Sequence, residues 1–201
     1  MTKRLSLSII SFFVFLILFI GIIIISEYRN MDNLKAEYPT ISEKVYDYRK
    51  SILRIWAINL VLKFLIPLLF LITGISKRIE ILAGGNGRGL LLTGVIYVAI
   101  YSIIVFLIYL PTSYYASFIL GHRFGISNQT LYRWLEISLK NLALNTLVLG
   151  LLIWFPYYII RISPNRWWLY LGLLAIPVIV FITFISPTYV DPIFNKYTPL
   201  E

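Results

Sequence analysis

Apolar residues in this chain are gathered into five blocks, each close to the length of a membrane-spanning helix. The blocks cover about residues 5–25, 52–75, 90–111, 141–160 and 167–185. An α-helix rises 1.5 Å per residue, so roughly twenty residues cross the roughly 30 Å hydrocarbon core of a bilayer. The sequence therefore predicts an all-α fold, a polytopic membrane helix bundle with about five transmembrane helices.

Composition agrees with a membrane location. The chain is 59% hydrophobic and 13% charged, against about half and about a quarter in soluble domains. Its net charge of +9 comes from Lys and Arg in the short loops, where they anchor helix ends and meet anionic lipid headgroups. We therefore expect membrane lipids, and no nucleic acid, as partners. The chain has no Cys, which excludes disulfides and thiolate metal sites.

The first apolar block differs from a secretory signal peptide. It follows Lys3 and Arg4, contains no charge, and runs directly into Ser26 and Glu27. A signal peptide has an apolar region of about 7 to 15 residues and a small-residue cleavage site. The sequence therefore predicts an uncleaved membrane anchor.

Two loops separate the next blocks. Residues 27–51 are charged and Tyr-rich, with Pro39 in the middle, and are predicted to be an aqueous, partly helical segment. Residues 76–89 are predicted to be a loop, and their glycine run a plain turn. No strand precedes that run and no Walker-type Lys-Ser/Thr follows it, so it does not match a phosphate-binding loop.

The second half of the chain carries its own helix signals. Ser127 is predicted to cap a helix that begins at Asn128 and lies at the membrane interface before the fourth block. Pro164 and Asn165 lie between the fourth and fifth blocks, which are therefore predicted to form a tight antiparallel hairpin.

The distribution of basic residues predicts the orientation, because Lys and Arg are more frequent in cytoplasmic loops. One side collects Arg29, Lys35, Lys44, Arg49, Lys50, Arg54, Arg123, Arg133, Lys140 and Lys196. The other side has Lys3, Arg4, Lys77, Arg78, Arg88, Arg161 and Arg166. The excess of basic residues on the first side marks that side as cytoplasmic. This places the N-terminus outside and the C-terminus in the cytoplasm. The membrane is interpreted as the bacterial cytoplasmic membrane.

Two segments carry a family resemblance. Residues 118–130, FILGHRFGISNQT, with Trp134 and Lys140 downstream, and the exit segment after the fifth block resemble type I CAAX prenyl endopeptidases and their bacterial relatives. The signature residues of the exit segment are Asp191, Pro192, Phe194, Asn195, Lys196, Thr198 and Pro199. Gly121 departs from the family pattern, which usually has an acidic residue at that position.

The resemblance implies a zinc metalloprotease whose chemistry lies outside this chain. In that family zinc is held by the two His of an H-E-x-x-H helix and a later Glu. This chain has one His, His122, interpreted as an ordinary loop histidine. Residues 1–201 thus resemble an N-terminal transmembrane domain, without catalytic or metal residues and without a cofactor of its own. Zinc is expected in a full-length member, with the protease domain following in cis.

Polar residues inside the apolar blocks are the candidate functional positions. Asn59 and Lys63 lie one turn apart in the second block, and Asn141 and Asn145 do so in the fourth. The resemblance favours a water-filled chamber beside Asn59 and Lys63, and the alternative is a Lys that snorkels to the interface or hydrogen-bonds a neighbouring helix. For Asn141 and Asn145, hydrogen bonds to neighbouring helices are the preferred interpretation, and lining the chamber is the alternative.

These observations lead to one function and two alternatives. The leading hypothesis is a membrane-embedded, non-catalytic domain that forms part of an intramembrane chamber for a peptide or protein substrate. The alternatives are a small transporter or channel subunit, which would use the same polar residues as a pathway, and a structural membrane protein. The intramembrane Glu pair of the glutamate-type CAAX proteases is absent from the five blocks.

Overall fold

The computed structural model describes residues 3–84, 87, 89–185, 189, 190 and 193. The helices are α1 (Lys3–Glu37), α2 (Glu43–Ile72), α3 (Ile75–Gly84), α4 (Leu90–Ser113), α5 (Leu120–Arg123), α6 (Leu131–Leu152), α7 (Trp154–Ile162) and α8 (Trp167–Ile185). A π-helical segment, Tyr114–Ile119, joins α4 to α5. The described part of the chain contains no strand, and the predicted all-α class is confirmed.

Four helical stretches are long and apolar enough to cross a membrane. They are Leu5–Glu37, Glu43–Ile72, Leu90–Arg123 and Leu131–Ile162, and α8 contributes a shorter apolar stretch, Trp167–Val180. Their apolar side chains point largely outward: Leu7 is 70% and Leu71 is 72% exposed. A soluble protein rarely exposes so much apolar surface, whereas a bilayer covers it.

The first two helices extend beyond their apolar blocks into the polar segment between them. Ion pairs between Glu27 and Arg49, and between Lys35 and Glu43 at 2.7 Å, tie the polar ends of α1 and α2 together. A turn at Pro39 separates α1 from α2, so residues 27–51 are partly helical, as predicted. The predicted end of the first helix near residue 25 and the predicted start of the second near residue 52 were wrong, since α1 ends at Glu37 and α2 begins at Glu43. Hydropathy marks the membrane-spanning part of a helix and not its polar extension.

The predicted loop at residues 76–89 was wrong for its first part, which forms α3. Gly74, with φ +72°, ends α2 in the left-handed conformation that glycine adopts without steric cost. Ile79 and Ala83, one turn apart, are both buried. An amphipathic helix therefore forms where the charges Lys77 and Arg78 suggested a loop.

Pro111 marks a change in the backbone of the third span. Its nitrogen has no hydrogen to donate to the carbonyl four residues earlier, and the π-helical segment begins three residues later. At the end of this segment the amide of Leu120, the first residue of α5, donates to the Tyr115 carbonyl, five residues back. The span continues through α5, so His122 lies on a helix and its interpretation as a loop residue was wrong.

The fourth span begins later than predicted and is broken once. The Ser127 hydroxyl accepts from the Gln129 amide at 3.2 Å in a local turn, and the helix starts at Leu131 rather than at Asn128. The fourth block is therefore not a separate helix from 141 to 160. The break in the span lies between α6 and α7. Pro156, in the first turn of α7, has no N–H to donate to the carbonyl of Leu152, the last residue of α6.

The chain divides into two compact units, residues 1–76 with 105–131 and residues 77–104 with 132–201. In the first unit, Phe12 and Phe64 pack edge to face with their centroids 5.1 Å apart and join α1 to α2. Tyr48 and Phe124 do the same at 5.3 Å, joining α2 to the end of α5.

Glycines bring α4 and α6 close together in the second unit. A Cβ added at Gly94 would lie 3.1 Å from Ile153 Cγ2, and one at Gly150 would lie 3.6 Å from Val95 Cγ1. Small residues permit such close approach between membrane helices. In the same unit α7 contacts α8 across the turn at residues 163–166, which agrees with the predicted hairpin.

Candidate functional site

The polar face of α2 belongs to the first unit. Asn59, Lys63 and Pro67 follow one another at intervals of four residues on one face of the helix. Lys63 and Pro67 are exposed and Asn59 is half-buried. Among the described residues Lys63 has no ion-pair or hydrogen-bond partner, and the buried Oδ1 of Asn59 accepts no hydrogen bond.

Proline adds a backbone acceptor to this face. Pro67 has no N–H, so the carbonyl of Lys63 loses the donor that an α-helix would supply. A cation, a side-chain amide oxygen and a backbone carbonyl are thus clustered over two turns. Placing any of these groups in hydrocarbon without a hydrogen-bond partner would cost free energy. Water or a polar group of another helix would supply that partner.

The polar face of α6 belongs to the second unit. Asn141 and Asn145 are one turn apart and both exposed. The adjacent Thr146 is half-buried, and its Oγ1 is a buried atom without a hydrogen-bond partner among the described residues. The structure places both Asn side chains on the helix surface, where they can meet water or another helix. The proposed chamber-lining role of the four polar residues remains a prediction.

An ionic cluster on the first turns of α6 was not predicted. Glu136 accepts from Arg133 at 2.9 Å and pairs with Lys140 at 2.6 Å. Lys140 Nζ also donates to the backbone carbonyl of Ile193, at 3.3 Å. The spacings i,i+3 and i,i+4 would have allowed the two ion pairs of Glu136 to be predicted from the sequence. Nothing in the sequence indicated the contact of Lys140 with Ile193.

The segment that carried the resemblance in the middle of the chain is organised around Gly121. Its carbonyl accepts from the amides of Ile126, at 2.8 Å, and Ser127, at 3.1 Å, and Gly125 takes φ +71°. This is the glycine-terminated end typical of α-helices. A Cβ added at Gly121 would lie 3.0 Å from Ser127 Cβ, so the acidic residue usual in the family would require this turn to shift.

His122 bonds to its own helix. Its Nδ1 lies 2.7 Å from the carbonyl of Phe118, and its ring lies 4.4 Å from the Phe118 ring. Because a carbonyl only accepts, Nδ1 carries the proton in this contact. The single histidine of the chain thus makes a contact that orders the end of the third span.

The residues do not fit a zinc site. The described part of the chain gathers no three His, Cys, Asp or Glu side chains that could hold a metal ion. With one His and no Cys in the sequence, the nitrogen and sulfur ligands that zinc prefers are too few. No chemical step of a zinc enzyme can be assigned to these residues.

The exit-segment signature, Asp191, Pro192, Phe194, Asn195, Lys196, Thr198 and Pro199, lies outside the described residues. Ile193, between its first and second pairs, is described and is the residue that Lys140 contacts.

Comparison with known proteins adds family information to this geometry. Residues 28–196 match the family described as CAAX prenyl protease N-terminal, five membrane helices. The match includes α2, α4, α6 and α8 and the greater part of the exit segment. It agrees with the predicted number of spans and with the resemblance stated above.

Individual relatives agree. The chain is 30% identical over 133 residues to the Bacillus subtilis protein named uncharacterized metalloprotease YhfN, covering 65% of this chain and 30% of that protein. It is 32% identical to CAAX prenyl protease 1 of Saccharomyces cerevisiae over 95 residues, covering 47% and 21%. The fold resembles the crystal structure of S. mikatae Ste24p, with TM-score 0.64 and 23% identity, over 77% of this chain and 37% of that one. The chain thus spans less than a third of the curated relatives that it matches.

Proposed function

Because the chain belongs to the CAAX prenyl protease N-terminal family of five-helix membrane domains, we propose that its helices wall an intramembrane chamber for a peptide substrate. The chain is an integral membrane protein and corresponds to the N-terminal membrane domain of this metalloprotease type. In the proposal it is non-catalytic, and zinc is held by a protease domain that follows in cis. The match over residues 28–196 is the observation that carries the proposal.

The polar face of α2 supports a hydrated chamber. A charge at the centre of a membrane helix costs roughly 2.5 to 3.5 kcal/mol on insertion scales, and such residues usually face water or other helices. Lys63, which is exposed and has no partner among the described residues, fits a water-filled surface. A transporter or channel subunit would use the same residues, and the family match favours the chamber.

The proposed orientation has the N-terminus outside and the C-terminus in the cytoplasm, in a bacterial cytoplasmic membrane. The excess of basic residues on one side supports the orientation. The Bacillus relative supports the bacterial membrane.

Water access to Lys63 tests the chamber, and the natural absence of Cys makes the test clean. In native membranes Lys63→Cys is labelled with a small water-soluble thiol reagent and compared with Leu18→Cys, at an apolar position of α1 that is 61% exposed. Only a hydrated thiol forms the reactive thiolate, so we expect Lys63→Cys to react more than about tenfold faster. Equal, slow labelling at both positions would show that Lys63 faces lipid or a dry helix contact, and the chamber assignment would fail.

A further inference from the structure

A slot lies in the first unit between α2 and the end of the third span. One wall is formed by Arg54, Ile55 and Ile58 of α2, and the other by Pro111, Thr112 and Tyr115. Its volume is ≈ 350 Å³. The slot lies where α4 passes into the π-helical segment, a backbone form that occurs frequently at functional sites.

Arg54 is the charged residue among those that line the slot. It lies two residues inside the second apolar block, and its side chain is exposed. No carboxylate among the described residues pairs with it: Asp47, about two helical turns earlier, pairs with Lys50 at 3.9 Å. Since a guanidinium does not deprotonate in proteins, Arg54 is a permanent cation without a counter-charge among the described residues.

The position of Arg54 limits what that partner can be. A residue at the edge of an apolar block lies at the level of the lipid headgroups, where the abundant anion is phosphate. A guanidinium matches phosphate well because its planar fork of N–H donors can form two parallel hydrogen bonds.

The rest of the slot is divided between polar and apolar walls. On the polar side, the Ser51 hydroxyl donates to the Asp47 carbonyl at 2.8 Å and the Thr112 hydroxyl to the Tyr109 carbonyl at 2.9 Å. Both oxygens keep free lone pairs for a donor such as a glycerol hydroxyl. The apolar wall lies on the other side of Arg54. It is formed by the side chains of Ile55, Ile58 and Pro111.

We propose that this slot binds an anionic phospholipid, with the phosphate on Arg54 and an acyl chain along Ile58 and Pro111. Arg54 attracts the phosphate, and it favours a lipid of net negative charge because the ammonium of a zwitterionic headgroup is repelled by the guanidinium. The apolar wall distinguishes a lipid from a free anion. The site is independent of the proposed chamber and of any protease activity.

The test uses the purified chain in zwitterionic micelles, titrated with phosphatidylglycerol or with phosphatidylcholine of the same acyl chains. Native mass spectrometry counts the retained lipid. One charge-assisted contact corresponds to about tenfold in affinity, so we expect one phosphatidylglycerol to be held about tenfold more tightly than phosphatidylcholine. Arg54→Gln should abolish that preference, and Arg54→Lys should retain part of it because an ammonium keeps the charge without the fork.

Arg161→Gln is the matched control, since Arg161 is exposed near another membrane interface and does not line the slot. It should leave the preference unchanged, whereas an equal loss in both Gln variants would show only a general attraction of anionic lipid to a basic protein. Millimolar inorganic phosphate should fail to displace the lipid. Displacement would mean that the slot binds a free anion, and an unchanged preference in Arg54→Gln would place the lipid elsewhere; either result overturns the proposal.

Discussion

Lys140 on α6 donates a hydrogen bond of 3.3 Å to the backbone carbonyl of Ile193, which follows it by 53 residues. Glu136 pairs with the same ammonium at 2.6 Å and with Arg133 at 2.9 Å, so the Lys140 side chain is oriented from its own helix. The contact fixes the position of Ile193, within the signature segment that follows α8, relative to the start of α6.

Loss of this contact should loosen the chain at Ile193 without unfolding the helices. Lys140→Met retains the aliphatic part of the side chain and removes the donor, so we expect faster amide hydrogen exchange at Ile193. The ammonium is partly exposed, so the free energy of unfolding should fall by less than about 1 kcal/mol. Lys77→Met on α3 is the control, and equal exchange in the two variants would contradict a positioning role for Lys140.

The glycine contact between α4 and α6 predicts a larger effect on stability. In Gly94→Val a Cβ would lie 3.1 Å from Ile153 Cγ2 and the γ-methyl groups would require the helices to separate. Overpacking of this kind typically costs about 1 to 3 kcal/mol. Thermal unfolding in detergent should therefore show a lower midpoint for Gly94→Val than for wild type.

Gly172→Val on α8 is the matched control, because nothing lies within 4 Å of an added Cβ there. Its midpoint should stay near that of wild type. If both variants unfolded at the same temperature, the close approach of α4 and α6 at Gly94 would be wrong.

The proposed orientation predicts opposite labelling on the two sides of α2. Asn33→Cys should be protected from a membrane-impermeant thiol reagent in intact cells, and Asn86→Cys should be labelled. Permeabilised cells provide the control, because both positions should then react. The reverse pattern would place the N-terminus in the cytoplasm.

The shortage of metal ligands predicts that the purified chain retains no stoichiometric zinc and cleaves no peptide. Three zinc-ligating side chains are not gathered in the described residues, and the sequence offers one His and no Cys. Elemental analysis after dialysis, with a peptide-cleavage assay alongside it, tests this. One tightly held zinc per chain would show that residues outside the described part form a site.

Part of the fold could be read from the sequence because the bilayer imposes it. Blocks of about twenty apolar residues determine the number of spans through the thickness of hydrocarbon, and Pro164 with Asn165 marked the hairpin between α7 and α8. The resemblance in residues 118–130 and in the exit segment pointed to the correct family. The ends of the helices were harder to predict from the sequence, because the polar extension of α1 to Glu37 is not apolar and hydropathy does not detect it.

Other features depend on contacts between residues distant in sequence, which no local pattern encodes. Three such contacts are the hydrogen bond of Lys140 to the carbonyl of Ile193, the approach of Gly94 to Ile153, and the slot that Arg54 shares with Tyr115. A local pattern can show that Arg54 is a charge at the membrane edge. Whether it has an acidic partner depends on how α2 and the π-helical segment pack, and the tertiary structure alone decided that it faces an open slot.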